Sequence, residues 1–206
     1  MKSVLMSIQP KWCELIASGK KTVEVRKTRP KLDVPFKCYI YMTKKGNNFL
    51  GNGEKDWFVS YNFTMAGKVI GEFVCDCITN YEAELWDDKT YERIQEFYKP
   101  DDFAEYGEYE YKTIADNGDD FWRENKLCTS SCLSIDELRK YVGAGISTFY
   151  GWHISDLVIY DKPKELSEFR SYNVKAYIDE NGYPVPTHKI TRPPQSWCYV
   201  EGVEGK

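Results

Sequence analysis

The sequence has little of several features that would define a class of function. It holds only two histidines, His153 and His188, which are far from each other in the sequence. A serine or cysteine hydrolase needs a positioned histidine base, so that chemistry is not indicated, and we expect both histidines to be structural. No internal repeat or low-complexity run is present either.

Hydrophobic runs are short as well. None approaches the ~18 consecutive apolar residues that a membrane-spanning helix needs. No apolar leader with a cleavage site is visible at the amino terminus. We therefore expect a cytoplasmic protein without a membrane partner.

Cysteine is present, but not in a pattern that binds zinc. Seven cysteines are an odd number, which in a chain without an export signal favours reduced thiols over disulfides. Cys75 and Cys77 lie on a predicted strand, where we expect both sulfurs in an apolar stripe, and Cys128 and Cys132 precede a predicted helix. Neither pair has the knuckle spacing of structural zinc sites. The sequence therefore predicts no metal site, and nothing in it requires a cofactor.

The composition is that of a globular protein with a substantial core. Of 206 residues, 42% are hydrophobic and 16% are aromatic, which suffices for a core and fits one domain with an insertion. The net charge of −4 hides an asymmetry, because positions 1–45 carry +8 and the rest of the chain carries −12. A basic face of this kind would suit phosphate binding.

Positions 5–26 concentrate polar side chains around a short helix. An apolar strand leads to Pro10, which suits a first helical position because the N–H it lacks would have no partner there. Trp12, Leu15 and Ile16 form the apolar stripe of the predicted helix, and Gly19 ends it.

The strand that follows alternates two kinds of side chain. Val23 and Val25 are predicted on one face. The turn and the other face of this strand are predicted to bring five polar side chains close together. They are Lys20, Lys21, Thr22, Glu24 and Arg26. Two interpretations stay open. The face is either a solvated outer surface with an exposed Glu24–Arg26 pair, or a polar pocket where helix end, turn and strand converge on a ligand.

This stretch resembles the signature of the ASCH domain, a small β-barrel related to the PUA superfamily. The pattern S-I-x-P…G-x-K-T-x-E-x-R is carried here by Ser7, Ile8, Pro10, Gly19, Lys21, Thr22, Glu24 and Arg26. Supporting similarity lies at 67–78, 151–169 and 192–197. Pieces like these occur in phage and prophage ASCH-like proteins, so the resemblance implies a protein of that type.

The resemblance and the strand-rich pattern together predict the class α+β. We expect a small PUA-like β-barrel flanked by helices, with an inserted helical and acidic segment. The whole chain, 1–206, would be a single domain, with an insertion at 79–150 and a carboxy-terminal extension at 170–206 that returns to the barrel.

Individual elements can also be predicted. Strands are expected at 37–43, 68–78, 152–160 and 197–200, and a helix at 81–98. Residues 101–120 hold eight acidic residues and one lysine, which predicts a solvated excursion. Ser134 and Glu137 form a capping box, which predicts a helix that ends near Gly143.

The resemblance also implies a nucleic-acid ligand. We predict that the protein binds RNA or a modified nucleotide, with lysine and arginine on phosphate and an aromatic ring stacked on a base. The predicted ligand-binding residues are Lys11, Trp12, Lys20, Lys21, Thr22, Glu24 and Arg26.

Whether the protein is an enzyme is left open. Some ASCH enzymes deacetylate acetylcytidine with a lysine, a threonine and a glutamate. Their lysine aligns with Lys21, their threonine falls on Glu24, and their glutamate has no clear counterpart. The catalytic set of such a hydrolase would here be Lys21, Thr22 and Glu24, with the lysine activating the hydroxyl.

Two further alternatives remain. Some bacterial ASCH relatives cleave RNA. The resemblance to them implies general acid–base catalysis by Lys21 together with Tyr39, Tyr41 or Ser196. A different class is an interaction module whose basic face meets an acidic protein partner.

Overall fold

The computed structural model describes residues 2–44, 65–85, 92–98, 110–115, 126–172, 182–183 and 186–203. The chain divides into two compact units: the first holds 1–18, 32–75 and 155–206, and the second holds 19–31 and 76–154. The predicted extension at 170–206 belongs to the first unit, and the segment 79–150 belongs to the second. That 79–150 is an insertion stays a prediction.

The described part of the chain forms short strands and three short α-helices. In chain order the elements are β1 (Lys2–Ile8), α1 (Pro10–Ala17), β2 (Val23–Arg26), β3 (Phe36–Met42), β4 (Val69–Cys75), β5 (Ile78–Leu85), β6 (Glu92–Tyr98), β7 (Glu110–Ala115), α2 (Lys126–Ser131), α3 (Ile135–Val142), β8 (Gly145–His153), β9 (Ser155–Lys164), a 3-10 turn (Leu166–Glu168), β10 (Arg170–Tyr172), β11 (Pro186–Lys189) and β12 (Trp197–Glu201). None of the helices in these described ranges is long and apolar enough to cross a membrane.

A seven-stranded sheet forms the first unit, in the order β11-β10-β12-β1-β3-β4-β9. β1 and β3 run parallel, and the other neighbours are antiparallel. β3 is buried along almost its whole length, as expected of a strand with two apolar faces. The last described strand, β12, pairs with β1 from Lys2↔Glu201 to Met6↔Trp197, so the first and last described strands are neighbours in this sheet.

A five-stranded antiparallel sheet forms the second unit, in the order β2-β8-β5-β6-β7. Its core also takes apolar residues from α2 and α3, because both helices bury one side only. The buried residues of this core are Val25, Tyr81, Ala83, Ile94, Leu127, Leu138, Val142 and Phe149. The rings of Tyr81 and Phe149 stack with their centres 5.2 Å apart.

Gly151 of β8 lets β2 and β5 pack closely on either side. A Cβ atom at this position would lie 2.9 Å from the ring of Tyr81 and 3.0 Å from a methyl group of Val23. At such short distances a Cβ atom would force one of these neighbours to move. Glycine at position 151 therefore allows β2 to stay beside β8.

The structure confirms the α+β class but not the barrel. Within the described strands neither sheet closes on itself: β11 and β9 are the edges of the first sheet, and β2 and β7 are the edges of the second. A barrel requires the two edge strands of one sheet to pair. The alternation of a strand shows which side chains share a face, but it does not show to which sheet the strand belongs.

The predicted helix at 81–98 is wrong. β5 and β6 pair antiparallel from Asn80↔Phe97 to Leu85↔Glu92. On β5, Tyr81 and Ala83 are buried, whereas Glu82 and Glu84 are only partly buried. This is the two-residue period of a strand. The aromatic spacing at 91–98 fits a helix only when the pairing with β5 is ignored.

Among the described residues of 79–150, strands outnumber helices, and part of the acidic stretch is paired in a sheet. Residues 110–115, within the predicted solvated stretch 101–120, form β7 and pair with β6. The rest of that stretch lies outside the described residues.

Two other strands differ in extent from their predictions. β4 ends at Cys75, which is buried, whereas Cys77 is exposed, so only one of the two sulfurs enters the apolar stripe. The segment 152–160 is not one strand, because β8 ends at His153, β9 begins at Ser155, and the two belong to different sheets.

The end signals of the helices are confirmed. α1 begins at Pro10, and Gly19 follows it with φ +72°. α3 has Ser134 at its amino-terminal cap with both hydrogen bonds of the capping box to Glu137, and Gly143 ends it with φ +99°. These signals act over one helical turn, so tertiary packing does not override them.

Candidate functional site

The structure divides the predicted ligand-binding residues between the two units. Lys11 and Trp12 lie on α1 in the first unit, and the other five lie at 20–26 in the second. The ammonium of Lys11 is 4.3 Å from the centre of the Trp12 ring, a cation–π contact. Lys11 is exposed and Trp12 is half-buried, because α1 directs Cys13 and Ile16 inward.

In the second unit, β2 separates apolar from charged side chains as its alternation predicts. Val25 lies in the core and Val23 packs against it. Glu24 and Arg26 lie together on the other face, with Glu24 directly across from Trp152 of β8. The register of β2 against β8 therefore sets the direction of the charged face.

Glu24 joins two cations. Its Oε1 lies 3.0 Å from Nη2 of Arg26, and its Oε2 lies 3.3 Å from Nζ of Lys21. The Lys21 ammonium also donates a 2.7 Å hydrogen bond to the backbone carbonyl oxygen of Ser131, at the end of α2. We call Lys21, Glu24 and Arg26 the buried charge cluster.

The buried charge cluster is almost completely removed from solvent. Lys21 is 2% exposed, and Glu24 and Arg26 are 7% exposed each. The interpretation as a solvated outer face is therefore wrong, although the ion pair it included is present. Ions taken out of water lose hydration that their mutual attraction only partly replaces, so such a cluster adds little stability compared with apolar residues of equal volume.

Lys20 and Thr22 lie on either side of Lys21 in the sequence and are exposed. The backbone of Thr22 is held at two points. Its N–H donates to the carbonyl oxygen of Ser130 at 2.8 Å, and its own carbonyl oxygen accepts from the N–H of Ile154 at 2.9 Å. An exposed hydroxyl and an exposed ammonium are thus carried by a fixed segment of backbone.

Sequence reasoning missed the support that α2 provides. Ser131 is separated from Lys21 by 110 positions, and nothing in the sequence around either residue indicates that they meet. α2 is placed by Leu127, which is buried in the core of the second unit. Only the packing of that helix brings its last carbonyl groups to the motif.

Tyr141 is a second residue that sequence reasoning missed. It lies on α3 and is 37% exposed. Burial raises the pKa of the Tyr141 phenol, the charge of Arg26 and the backbone of Lys27 lower it, and the charge of Glu24 raises it. The ammonium of Lys27 lies 5.6 Å from the centre of the ring. The capping box predicted the helix, but it did not indicate that the helix borders the motif.

Neither histidine is as isolated as the sequence suggested. Nδ1 of His153 lies 2.6 Å from Oδ1 of Asp76, with both side chains nearly half exposed. In the first unit, Nε2 of His188 lies 3.3 Å from the hydroxyl oxygen of Ser171. Of these two contacts, only the one between His153 and Asp76 can act as an ion pair.

The alternative catalytic sets stay predictions. In the described structure no hydrogen bond joins the Lys21 ammonium to the Thr22 hydroxyl. Tyr39, Tyr41 and Ser196 belong to the first unit, whereas Lys21 belongs to the second. The phenol of Tyr39 is bound to the backbone N–H of Val203 at 2.8 Å, and burial raises the pKa of Tyr41.

The first unit holds a charged cluster of its own on three adjacent strands. Nζ of Lys37 lies 2.7 Å from Oε1 of Glu72, and the hydroxyl of Tyr160 donates to Oε2 of Glu72 at 2.5 Å. The ammonium of Lys164 lies 4.8 Å from the centre of the Tyr160 ring. We call Lys37, Glu72 and Tyr160 the sheet cluster; nothing in the sequence pattern indicated it, since its members come from β3, β4 and β9.

The cysteines are all free thiols. Burial raises the pKa of Cys198 to about 11. Among the described residues, no group of three or more histidine, cysteine, aspartate or glutamate side chains is arranged to hold a metal ion.

A comparison with models of protein families identifies the class of domain. The family model described as the ASCH domain matches residues 6–116, just over half of the chain. The chain therefore belongs to the ASCH domain family.

The fold is similar to that of ASCH from Zymomonas mobilis. Against its crystal structure the TM-score is 0.50 with 16% sequence identity, over 97% of this chain and 87% of that one. Crystal structures of a serine-to-alanine and a tyrosine-to-phenylalanine mutant of that protein each give a TM-score of 0.50, with 17% and 16% identity. They cover 97% and 98% of this chain, and 88% and 91% of theirs. No curated protein matches the sequence.

Proposed function

We propose that this protein binds RNA or a modified nucleotide through the exposed residues beside the buried charge cluster. Membership of the ASCH family supports a nucleic-acid ligand. The observation that carries the proposal is the division within the motif: Lys21 and Glu24 are buried and joined, whereas Lys20 and Thr22 are exposed next to them.

This division suits binding because the exposed groups are held in place before a ligand arrives. The backbone of Thr22 is bound on both sides by Ser130 and Ile154, so little conformational entropy is lost when its hydroxyl engages a ligand. The Lys20 ammonium can contact a phosphate. The buried cations behind them act through a medium less polarisable than water, where their attraction for an anion is stronger.

Binding is favoured over hydrolysis by the position of Lys21. A threonine nucleophile needs its base within hydrogen-bond reach, yet the Lys21 ammonium is directed to Glu24 and to the Ser131 carbonyl group. Thr22, in contrast, is exposed. Glu24, at the position of the threonine of the acetylcytidine enzymes, serves here as the shared partner of two cations.

The test is the salt dependence of RNA binding. Fluorescence anisotropy with a labelled single-stranded RNA of about 12 nucleotides, within the span that one small domain covers, would give the dissociation constant at several salt concentrations. Lys20→Ala should weaken binding and reduce the slope of log affinity against log salt by about 0.7, as expected for one lost phosphate contact on a single strand.

Lys162→Ala is the matched control, because Lys162 is an exposed lysine of β9 in the first unit. It should leave the slope unchanged. Equal effects of the two variants, or no RNA binding at low salt, would contradict the proposal. Mass spectrometry of the same incubations, extended to acetylcytidine, would detect shortened RNA or a deacetylated nucleoside and thereby show an enzyme instead.

A further inference from the structure

We infer that Tyr141 is the base-stacking surface of this site, so that the ligand is RNA with an unpaired base. The inference rests on the proposed function and extends it to a residue outside the ASCH signature. Tyr141 lies on α3, more than 100 positions after the motif.

Tyr141 is partly accessible to solvent. Leu138 and Val142 of α3 are buried in the core of the second unit, whereas Tyr141 remains 37% exposed. A single exposed aromatic residue is common and needs no explanation by itself. Here, however, the exposed ring belongs to the same unit as the motif and reaches its end.

The Tyr141 ring also lies close to the end of β2. The ammonium of Lys27, the residue directly after Arg26, is 5.6 Å from the centre of the ring. Burial raises the pKa of the Tyr141 phenol, and the charges of Arg26 and Glu24 also influence it, the first lowering and the second raising it. The end of β2 and the end of α3 therefore meet at this ring.

The backbone that carries the ring is ordered before a ligand arrives. Tyr141 lies on a helix that begins with a capping box and ends at Gly143, which limits the orientations open to its ring. An aromatic ring that is already oriented loses little entropy when a base stacks on it. Stacking on such a ring tolerates any base, since every base has a π face.

Basic residues accompany the ring. The Lys27 ammonium lies 5.6 Å from the ring centre, Lys140 is the exposed residue directly before Tyr141, and Arg29 is exposed two positions after Lys27. An aromatic ring beside a cation matches how proteins bind single strands, with bases on the ring and the backbone along the cations. Bases in a duplex have both faces covered by their neighbours, so this surface selects unpaired RNA.

The experiment uses RNA of about 12 nucleotides, within the site size of one small domain, carrying 2-aminopurine, whose fluorescence changes when it stacks. The variants are Tyr141→Phe, which keeps the ring, and Tyr141→Leu and Tyr141→Ala, which remove it. Tyr183→Ala is the control, because Tyr183 is an exposed tyrosine of the first unit, 67% accessible. Anisotropy gives the affinity and 2-aminopurine gives the stacking; circular dichroism checks that each variant is folded.

We expect the wild type and Tyr141→Phe to quench 2-aminopurine to similar extents. Tyr141→Leu and Tyr141→Ala should lose the quenching and bind at least about fivefold more weakly, while Tyr183→Ala behaves as the wild type. The same RNA annealed to its complement should bind without quenching.

Failure of the inference differs from failure of the proposed function. If the wild type binds RNA and Lys20→Ala reduces the salt slope, but Tyr141→Leu keeps both affinity and quenching, the stacking role is wrong and the RNA site stands. If the wild type binds no RNA, both are overturned. If Tyr141→Ala is unfolded, the result with Tyr141→Leu decides.

Discussion

The two charged clusters of this protein place a similar ion pair in two environments. In the buried charge cluster, Lys21 and Glu24 have side chains 2% and 9% exposed. In the sheet cluster, Lys37 and Glu72 have side chains 35% and 19% exposed. Both contain a lysine and a glutamate in contact, so the difference lies in what surrounds them.

The surroundings assign different roles to the two clusters. Water can still solvate Lys37, so its pair with Glu72 resembles a surface salt bridge of small net effect. Lys21 and Arg26 have exchanged water for one shared carboxylate, so each partner depends on the others. Removing one partner of a buried cluster lowers the stability strongly, although the intact cluster adds little stability compared with apolar residues. Such a cluster suits a rigid support for neighbouring exposed residues.

The largest contrast should come from neutralising the carboxylates. Glu24→Gln would leave two buried cations without their shared anion, and we expect the free energy of unfolding to fall by about 3–5 kcal/mol. Glu72→Gln is the matched control and should cost about 1 kcal/mol, because Lys37 can turn to water and Tyr160 can still donate to the amide oxygen. Urea-induced unfolding followed by tryptophan fluorescence measures both. Equal losses would show that burial does not distinguish the clusters.

Removing the lysines should give a smaller contrast. Lys21→Met keeps the length of the chain but leaves the Ser131 carbonyl group without this donor, and we expect a loss of about 2–3 kcal/mol, as for a hydrogen bond from a charged group. Lys37→Met should change the stability by no more than about 1 kcal/mol. The same urea experiment applies. A larger effect at Lys37 would reverse our assignment of the two environments.

The smallest effect concerns the pH dependence that the sheet cluster contributes. Burial by itself would raise the pKa of Glu72, but hydrogen bonds from Lys37 and Tyr160 outweigh it and lower that pKa below its ordinary value of 4.5. Glu72 therefore contributes stability above that value, and the contribution is lost as the pH falls through the lowered pKa. Burial and the bond to Glu72 raise the pKa of Tyr160 far above its ordinary 10.0. Its contribution is present below 10.0 and is lost as the pH rises beyond that value.

Unfolding measured across acid and alkaline pH tests both signs. Glu72→Gln should flatten the acid side of the stability curve and Tyr160→Phe the alkaline side, each by under about 1 kcal/mol. Arg139→Gln is a control, because its partner Asp136 is 82% exposed and the pair should not influence either side. Curves that steepen in the variants would contradict the lowered pKa of Glu72 and the raised pKa of Tyr160.

Local signals in the sequence predicted local structure correctly. Pro10 and Gly19 mark the ends of α1, and Ser134 with Glu137 marks the start of α3. The alternation of Val23 and Val25 with Glu24 and Arg26 is present in β2. Each of these depends on contacts within a few residues, which is why the sequence alone was sufficient.

Pairing between distant segments was not predictable in the same way. The aromatic residues at 91–98 fit helical spacing, yet that segment is β6 because β5 and β7 lie on either side of it. The segment 152–160 fits one strand, yet it divides between two sheets. In both places hydrogen bonds to distant strands outweigh the local pattern.

The sequence by itself determined the ASCH signature, the ends of its helices and the polar composition of its motif. Only the tertiary structure decided that Lys21, Glu24 and Arg26 are buried and that Thr22 is exposed. It also decided that the centre of the Tyr141 ring lies 5.6 Å from the Lys27 ammonium, just after the end of β2. The reason is physical: residue type and spacing set which side of an element a side chain occupies, but the elements packed over that side set its access to water.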